Sequence, residues 1–344
     1  MADSSIKYVF EYLSEGAIEG FVLGQAAQIS MKWGIKEFGD AGVDTVHKEM
    51  KQLHDRIVPI PVDPRNLSYG SKATALKYLR FLEMKWHDKV NGRGCADGRS
   101  QQAYTHKDES SSHTITTNSL MISCVIGAME WRTVATVDIT SAFLQADMDD
   151  LVYVKFEGLM IELLFKIDPK LCEKYVVIDR RQNVLYAALA HPLYGTLWSS
   201  LLLWRKLTGV LVDNIYKINP YDWCVANKEV NDGQCTALWH VDDIKWSHLT
   251  DDVLISEIEI MNKVFGSKDA PLTVRRGKIH EYLGMTLDYS LCDKSKITMS
   301  DFIEGFLSKI TSSLQGDSVT NAPNHLFEVG YYAPMIQTND AKIY

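Results

Sequence analysis

The sequence predicts an α+β protein, in which helices and strands mix without the regular strand–helix alternation of a parallel sheet. Two kinds of segment support this class: short runs that alternate apolar and polar residues, and longer runs with apolar residues at helical spacing. The 344 residues, 46% hydrophobic and 23% charged, have the composition of an ordinary globular protein. That length is enough for a large core and two or three subdomains.

Each element follows from its local pattern. Residues 73–86 carry leucines and a tryptophan at helical spacing, so a helix is predicted there. The polar, glycine-containing stretch 91–113 predicts an exposed hairpin or loop. Farther along, the patterns predict helices at 117–130, 199–213 and 250–265, strands at 131–140 and 280–290 and beside Asp242 and Asp243, a short helix after Asp138, and a hairpin at 173–189. Ser199 or Ser200 is expected to cap the helix 199–213.

Composition excludes some classes of protein. No apolar run reaches the roughly 18 residues that span a bilayer, so no membrane partner is expected. Six cysteines without a CxxC pair are typical of reduced thiols, which predicts a cytoplasmic or nuclear protein. The net charge of −8 argues mildly against nucleic acid, although basic residues concentrate within 72–99 and 275–278. Most of these cations are interpreted as solvated helix faces.

The stretch "TALWHVDDIKWSH" (236–248) places Asp242 and Asp243 side by side between two strand-forming runs. Asp138 ends another predicted strand, which could lie beside this hairpin. Three carboxylates on one sheet would resist ionisation together. Two Mg²⁺ ions, which prefer carboxylate oxygens, would relieve that repulsion and form the two-metal clamp of phosphoryl transfer.

Several segments, in this order, resemble the reverse transcriptase of copia-type LTR retrotransposons. They are "KEMKQLHDRIVPI" (48–60), "GRGCADGR" (92–99), "VATVDITSAFLQADMDDLVYVKFEG" (134–158), "PLYGT" with the following helix (192–208), "NPYDWCVANK" (219–228), "WHVDDIKWSH" (239–248), "KIHEYLGMTLDYS" (278–290) and "APNHLF" (322–327). The resemblance implies a right-hand polymerase of fingers, palm and thumb, with a small antiparallel palm sheet backed by helices. It divides the chain into an N-terminal segment (1–44), fingers and palm (45–265), and a region of primer-grip strand, thumb-like helices and irregular tail (266–344).

The resemblance also implies residue roles. Asp138, Asp242 and Asp243 would be the catalytic, metal-binding carboxylates, with Mg²⁺ as the cofactor and Mn²⁺ as a substitute. Arg93, Ser141, Ala142 and Phe143 would bind the dNTP, with the Phe143 ring excluding a 2′-hydroxyl. Tyr282, Leu283 and Gly284 would hold the primer. The implied partners are dNTPs and an RNA or DNA template with its primer.

Some positions depart from the family pattern. His240 stands where tyrosine is common, Trp198 where a glutamine often faces the template, Asn91 where a basic residue is common and His113 where proline is frequent. No RNase H, integrase, protease or nucleocapsid pattern accompanies the polymerase segments. We therefore expect an excised polymerase core, a decayed copy or a retained cellular gene.

Two alternatives remain open. The chain could be a decayed or domesticated reverse-transcriptase-like fold that binds nucleic acid or protein without catalysis. It could also be a metal-dependent hydrolase whose ligands are His240, Asp242, Asp243 and His248, since His240 and Asp242 share one face of a strand.

Overall fold

The computed structural model describes residues 29–85, 89–103, 105, 111–179, 181–267, 271–291, 293–305 and 307. The described residues up to Ser300 belong to one compact unit. The segment "APNHLF" (322–327) lies outside the described residues. No helix in the described part of the chain is long and apolar enough to cross a membrane.

Helices and strands are distributed along the whole compact unit. The α-helices in the described ranges are α1 (Met31–Asp55), α2 (Tyr69–Thr74), α3 (Thr117–Met129), α4 (Leu159–Ile167), α5 (Pro169–Tyr175), α6 (Ser199–Asp213) and α7 (Asp251–Phe265). The strands are β1 (Ile29–Ser30), β2 (Pro59–Pro61), β3 (Leu76–Lys85), β4 (Lys89–Ala96), β5 (Thr133–Asp138), β6 (Tyr153–Glu157), β7 (Val177–Asp179), β8 (Gln182–Leu189), β9 (Lys217–Asn219), β10 (Asp222–Val230), β11 (Gly233–His240), β12 (Asp243–His248), β13 (Thr273–Gly277), β14 (Ile279–Tyr282), β15 (Met285–Asp288) and β16 (Lys296–Thr298). Short 3₁₀ helices cover Pro64–Asn66, Gly98–Ala103 and Ala142–Gln145.

The first large sheet has six strands in the order β13-β5-β12-β11-β10-β9, and every neighbouring pair in it is antiparallel. Its core contains the buried apolar side chains of α3, α6 and α7. Trp239 and Trp246, both essentially inaccessible to solvent, are the largest side chains in this core. Burying such rings contributes strongly to stability, because each removes a large apolar area from water.

A second sheet of seven strands is mixed. Its path is β1-β3-β6-β8-β2, with β4 paired to β3 and β7 paired to β8. The β3–β6 pair is parallel, and the other pairs are antiparallel. Helix α1 packs against this sheet through Val46, Met50 and Leu53, and it kinks at Gly39, where φ is 55°. Strands β14, β15 and β16 form a small third sheet.

The α+β class predicted from the sequence is confirmed, and most elements agree with their patterns. The helices at 117–130, 199–213 and 250–265, the strand within 131–140, the short helix after Asp138 and the hairpin within 173–189 are all present. The predicted boundary at 44/45 falls inside α1, and the one at 265/266 separates α7 from β13, which pairs with β5. The assignment of these ranges to fingers, palm and thumb stays a prediction.

Three local predictions are wrong. The predicted helix 73–86 is mostly strand β3, which pairs with β4 from Tyr78 to Lys85. The single strand at 280–290 is a hairpin of β14 and β15, because Gly284 and its neighbour turn the chain at positive φ. Helix α6 begins at Ser199 after Trp198, and the Ser199 hydroxyl donates to carbonyl oxygens of the preceding turn instead of capping the helix.

Candidate active site

The three predicted carboxylates meet at one end of the six-stranded sheet. Asp138 is the last residue of β5, and Asp243 is the first residue of β12. In the antiparallel register they lie directly opposite each other, so their side chains are on the same face of the sheet. Asp242 precedes β12 in the turn, and its carbonyl oxygen accepts a hydrogen bond of 3.1 Å from the backbone N–H of Ile139. Residues more than 100 positions apart are therefore held together by backbone pairing.

The turn that carries Asp242 is strained. The turn residues Val241 and Asp242 link β11 to β12, and His240 pairs with Asp243 where the turn closes. Val241 has φ of 59°, in the left-handed region that a β-branched residue rarely adopts. Backbone strain of this kind costs of order 1–3 kcal/mol and persists where the surrounding structure imposes it. The hairpin thus holds two adjacent carboxylates in a shape that an Asn-Gly turn would adopt with less strain.

Burial raises the pKa of all three carboxylates, and neighbouring carboxylates raise those of Asp242 and Asp243 further. Burial is the main cause for Asp243, and the charges of Asp242 and Asp138 add to it, so that its pKa rises to about 6. Burial likewise raises the pKa of Asp242, with a further contribution from Asp138. The pKa of Asp138 is raised by burial, while the guanidinium of Arg275 opposes that shift. The site therefore carries negative charge that the protein's own cations do not fully neutralise.

Asp138 and Asp243 line a cavity of about 240 Å³ at this end of the sheet. Arg275 of β13 and Glu281 of β14 complete its charged lining. The sequence patterns predicted neither residue as part of the site, and Arg275 was interpreted as a solvated cation. No local signal identifies it, because Arg275 reaches the cavity only through the pairing of β13 with β5, where it lies opposite Thr136.

The donor atoms at this end of the sheet are of the type that Mg²⁺ binds. Carboxylate oxygens are its preferred ligands, and a cation would relieve the repulsion that raises these pKa values. The arrangement supplies two opposed carboxylates, Asp138 and Asp243, and a third, Asp242, in the turn beside them. Within the described ranges, no three His, Cys, Asp or Glu side chains converge closely enough to hold a metal ion together.

Tyr194 connects the carboxylates to two of the predicted dNTP-binding residues. The Phe143 ring meets the Tyr194 ring edge-on, with centroids 4.6 Å apart and an interplanar angle of 69°. The Arg93 guanidinium carbon lies 5.6 Å from the centroid of the same ring, in cation–π range. Burial raises the pKa of Tyr194, and the nearby Asp242 charge adds to it. The sequence prediction did not include Tyr194 as a site residue, although it lies in the "PLYGT" segment.

The part of β4 that carries Arg93 is fixed by contacts with α1 and β3. The backbone N–H of Gly94 donates to Glu49 of α1 at 3.2 Å, and Glu49 is also ion-paired with the buried Arg80. A Cβ atom at Gly94 would lie 2.0 Å from the Tyr78 hydroxyl oxygen, so only glycine fits there. Since successive side chains of a strand point to opposite faces, Arg93 points away from this network.

The segment after Asp138 holds the other predicted dNTP-binding residues. Ser141 has φ of 55°, and its hydroxyl accepts a hydrogen bond of 3.3 Å from the Gln52 side-chain amide. Ala142 is buried and begins the 3₁₀ helix Ala142–Gln145, which also contains Phe143. In the sequence, Ser141 and Ala142 therefore lie between Asp138 and Phe143, whose ring contacts Tyr194.

The predicted primer-binding residues lie in the β14–β15 hairpin. Tyr282 is buried, and its hydroxyl donates to the carbonyl oxygen of Asp243 at 3.2 Å. Leu283 and Gly284 form the turn with φ of 53° and 74°, and Leu283 packs against the core of the six-stranded sheet. The hairpin is thus fastened to the strand that begins with Asp243. Whether these residues hold a primer stays a prediction.

Three of the positions that depart from the family pattern lie in different parts of the structure. Trp198 packs against the core of the seven-stranded sheet and immediately precedes α6. His113 contacts two tryptophans, and Asn91 lies within β4.

The metal-hydrolase alternative does not fit the geometry. His240 pairs with Asp243 at the turn, whereas His248 lies at the opposite end of β12. The ring of His248 is buried and hydrogen-bonded to Thr250 and to the Val230 carbonyl oxygen. Five residues of extended chain separate Asp243 from His248, about 16 Å. The two histidines therefore cannot share one ion.

The sequence matches no protein-family model and no curated protein. Among solved structures it is similar to one described as the foamy viral protease-reverse transcriptase in complex with double-stranded DNA, with a TM-score of 0.35 and 16% identity. The match covers 76% of this chain and 38% of that chain. A likeness at this level carries no argument about the function of this chain.

Proposed function

We propose that the chain is an RNA-directed DNA polymerase of the copia retrotransposon type, which transfers nucleotides from dNTPs to a primer paired with an RNA or DNA template. The observation that carries the proposal is the direct opposition of Asp138 and Asp243 across β5 and β12, with Asp242 in the adjoining turn. A mutually repelling set of carboxylates at a strained turn is unfavourable for stability. Such a set is expected where a bound cation and a phosphate ligand belong.

The chain's residues then have distinct roles. Asp138, Asp242 and Asp243 would hold Mg²⁺, with Mn²⁺ as a substitute. When bound, the metal would supply Lewis-acid activation of the primer 3′-hydroxyl and charge stabilisation at the α-phosphate. The primer 3′-hydroxyl gives up its proton to solvent, its oxygen bonds to the α-phosphorus, and the bond from that phosphorus to the departing pyrophosphate breaks.

Around that reaction, Arg93 would contact triphosphate oxygens, because a guanidinium can bind them bidentately. The backbone N–H groups of Ser141 and Ala142 would contact the same group. Phe143, held edge-on by Tyr194, would leave no volume for a 2′-hydroxyl and so select deoxynucleotides. The β14–β15 hairpin, fastened to Asp243 through Tyr282, would support the primer end.

Primer extension tests the proposal. The purified chain is incubated with an RNA template, a DNA primer and dNTPs, in Mg²⁺ and separately in Mn²⁺. Replacement Asp242→Asn should reduce extension about a thousand-fold or more, since single members of a catalytic set carry effects of that size. The matched control is Asp232→Asn, which changes an exposed aspartate in the β10–β11 turn of the same sheet. Equal extension by the Asp242→Asn and unsubstituted chains would refute the assignment.

A second candidate is a reverse-transcriptase-like fold that binds nucleic acid without catalysis. It is favoured by the lack of three converging metal ligands in the described part of the chain and by Trp198, which packs into a core instead of facing the carboxylates. It predicts template-primer binding that weakens with salt. It also predicts no incorporation in either metal, so detectable incorporation by the unsubstituted chain alone would exclude it.

A further inference from the structure

Three aromatic side chains, His113, Trp204 and Trp223, form a cluster on the six-stranded sheet unit, called the aromatic cluster below. The His113 ring centroid lies 4.8 Å from that of Trp204 and 4.5 Å from that of Trp223. The two indoles are nearly parallel, with centroids 6.2 Å apart and an interplanar angle of 22°. These rings come from three separate elements: the segment before α3, helix α6 and strand β10.

The aromatic cluster lies at the same end of the sheet as the carboxylates. Asp138 is opposite Asp243, and Asp243 is opposite His240. The β10–β11 ladder runs from Val225 opposite Leu238 to Val230 opposite Gly233, so the first residues of β10, including Trp223, lie at the end of the sheet where β11 ends at His240. Directly opposed residues point to the same face, so Asp138, Asp243 and His240 form one row at this end. Two strand spacings, about 10 Å, separate β10 from β12.

The aromatic cluster is held in place and yet remains accessible. The Trp204 indole N–H donates to the carbonyl oxygen of Trp223 at 3.3 Å. The backbone N–H and hydroxyl of Thr116 both donate to Asp222 at 3.0 Å, which ties the segment bearing His113 to β10. Trp223 is 51% exposed despite these contacts, and the adjacent Tyr221 is 94% exposed. Such a fixed, half-exposed set of rings offers aromatic faces to a ligand.

We propose that the aromatic cluster is a stacking platform for an unpaired base of single-stranded nucleic acid. The inference rests on the proposed function, because Trp223 lies at the end of the sheet that bears the carboxylates, two strands from β12, so a nucleic-acid strand bound at the carboxylates would pass close to the aromatic cluster. Every base has a flat π-face that stacks on an indole, so recognition would tolerate any sequence. A duplex would not compete for this platform, since its bases are already stacked on one another.

Equilibrium binding of a fluorescently labelled 16-nucleotide single strand tests the platform. Binding is measured over a range of salt, without nucleotides and with EDTA, so that the readout is independent of catalysis. We expect Trp223→Leu to weaken binding at least about five-fold, within the range of base–aromatic stacking, and Trp223→Phe to retain most of the affinity. The slope of affinity against salt should not change, because stacking releases no counterions. A blunt duplex should bind Trp223→Leu and the unsubstituted chain equally.

The matched control is Trp33→Leu, which removes an exposed indole on α1. Single-strand binding that is unaffected by Trp223→Leu, or weakened equally by Trp33→Leu or Trp223→Phe, would overturn the proposal and leave the cluster as a protein-contacting surface. If Trp223→Leu does not fold, the unsubstituted chain is photo-crosslinked to an oligonucleotide containing 5-iodouracil. Adducts at Trp223 or Tyr221 are then required, and adducts confined elsewhere would overturn the proposal.

The two proposals can fail separately. The single-strand binding assay contains no metal and no nucleotide, so its outcome does not depend on catalysis. A chain that stacks single strands yet never extends a primer would refute the polymerase and not the platform. A chain that extends primers with binding indifferent to Trp223 would refute the platform alone.

Discussion

Replacing Lys245 by methionine should stabilise the protein at neutral pH. Lys245 of β12 is 1% exposed, and its ammonium donates to the Ser123 hydroxyl at 2.9 Å. Burial is the main cause that lowers its pKa from 10.5 to about 8. A shift of this size corresponds to about 3 kcal/mol of unfavourable burial of the charged form at pH 7. Methionine has a similar length and no charge, and it forfeits only the Ser123 hydrogen bond, worth about 1 kcal/mol.

The pH dependence of the stability difference tests whether the buried charge of Lys245 is its cause. Between the folded pKa of about 8 and the unfolded value of 10.5, the unfolded state binds more protons. The free energy of unfolding of the unsubstituted chain should therefore rise with pH across that window, by about 3 kcal/mol in total. Lys245→Met lacks this contribution, so its advantage of about 2 kcal/mol at pH 7 should disappear by about pH 10. Urea titrations of both chains at pH 7, 8.5 and 10 measure the difference.

Replacing an ion-paired lysine by methionine should instead destabilise the protein. Lys228 of β10 is ion-paired with Glu257 at 2.7 Å, and that carboxylate is only 6% exposed. Lys228→Met would leave a buried charge without its partner, which costs roughly 3–5 kcal/mol. If Lys245→Met is the less stable chain at pH 7, or if its difference from the unsubstituted chain does not change with pH, the reasoning about Lys245 is wrong.

Two further predictions concern Asp243 of the candidate active site and Gly94 of the β3–β4 hairpin that carries Arg93. Asp243→Asn should raise the free energy of unfolding by about 1–3 kcal/mol at pH 7, because it removes a carboxylate whose pKa burial and neighbouring charges raise to about 6, and it should abolish primer extension. Urea titration beside Asp44→Asn, an exposed aspartate of α1, measures the gain, and a loss of stability would contradict it. Gly94→Ala should destabilise the chain by about 1–3 kcal/mol, since its Cβ would lie 2.0 Å from the Tyr78 hydroxyl oxygen. Gly70→Ala, where the nearest atom is 3.7 Å away, should change stability by less than about 0.5 kcal/mol, and equal effects at both glycines would refute the steric argument.

The sequence predicted helices and strands correctly where apolar residues recur along one face of the segment. The strand β5 and helices α3, α6 and α7 were predicted because their apolar periodicity matches how they pack. Strand β3 was missed because Arg80 stands at a core position. Leu76, Tyr78, Arg80 and Leu82 are all buried at a period of two, and a charged residue in that series hides the alternation. The buried guanidinium is tolerated because it is ion-paired with Glu49, 31 positions away on α1, and donates to the Tyr78 hydroxyl at 2.9 Å.

For the candidate active site too, the sequence determined one part and the tertiary structure another. The sequence by itself determined which residue types could do the chemistry: adjacent carboxylates at a turn, another at a strand end, and a resemblance that linked them. Only the tertiary structure decided that Asp138 lies opposite Asp243 and that Arg275 shares their cavity. The fold likewise decided that Tyr194 lies between Arg93 and Phe143, and that Trp223 lies at the carboxylate end of the sheet. The physical reason is that strand register depends on pairing between segments far apart in the chain, and a slip of one residue would move every one of these side chains to the opposite face of its sheet.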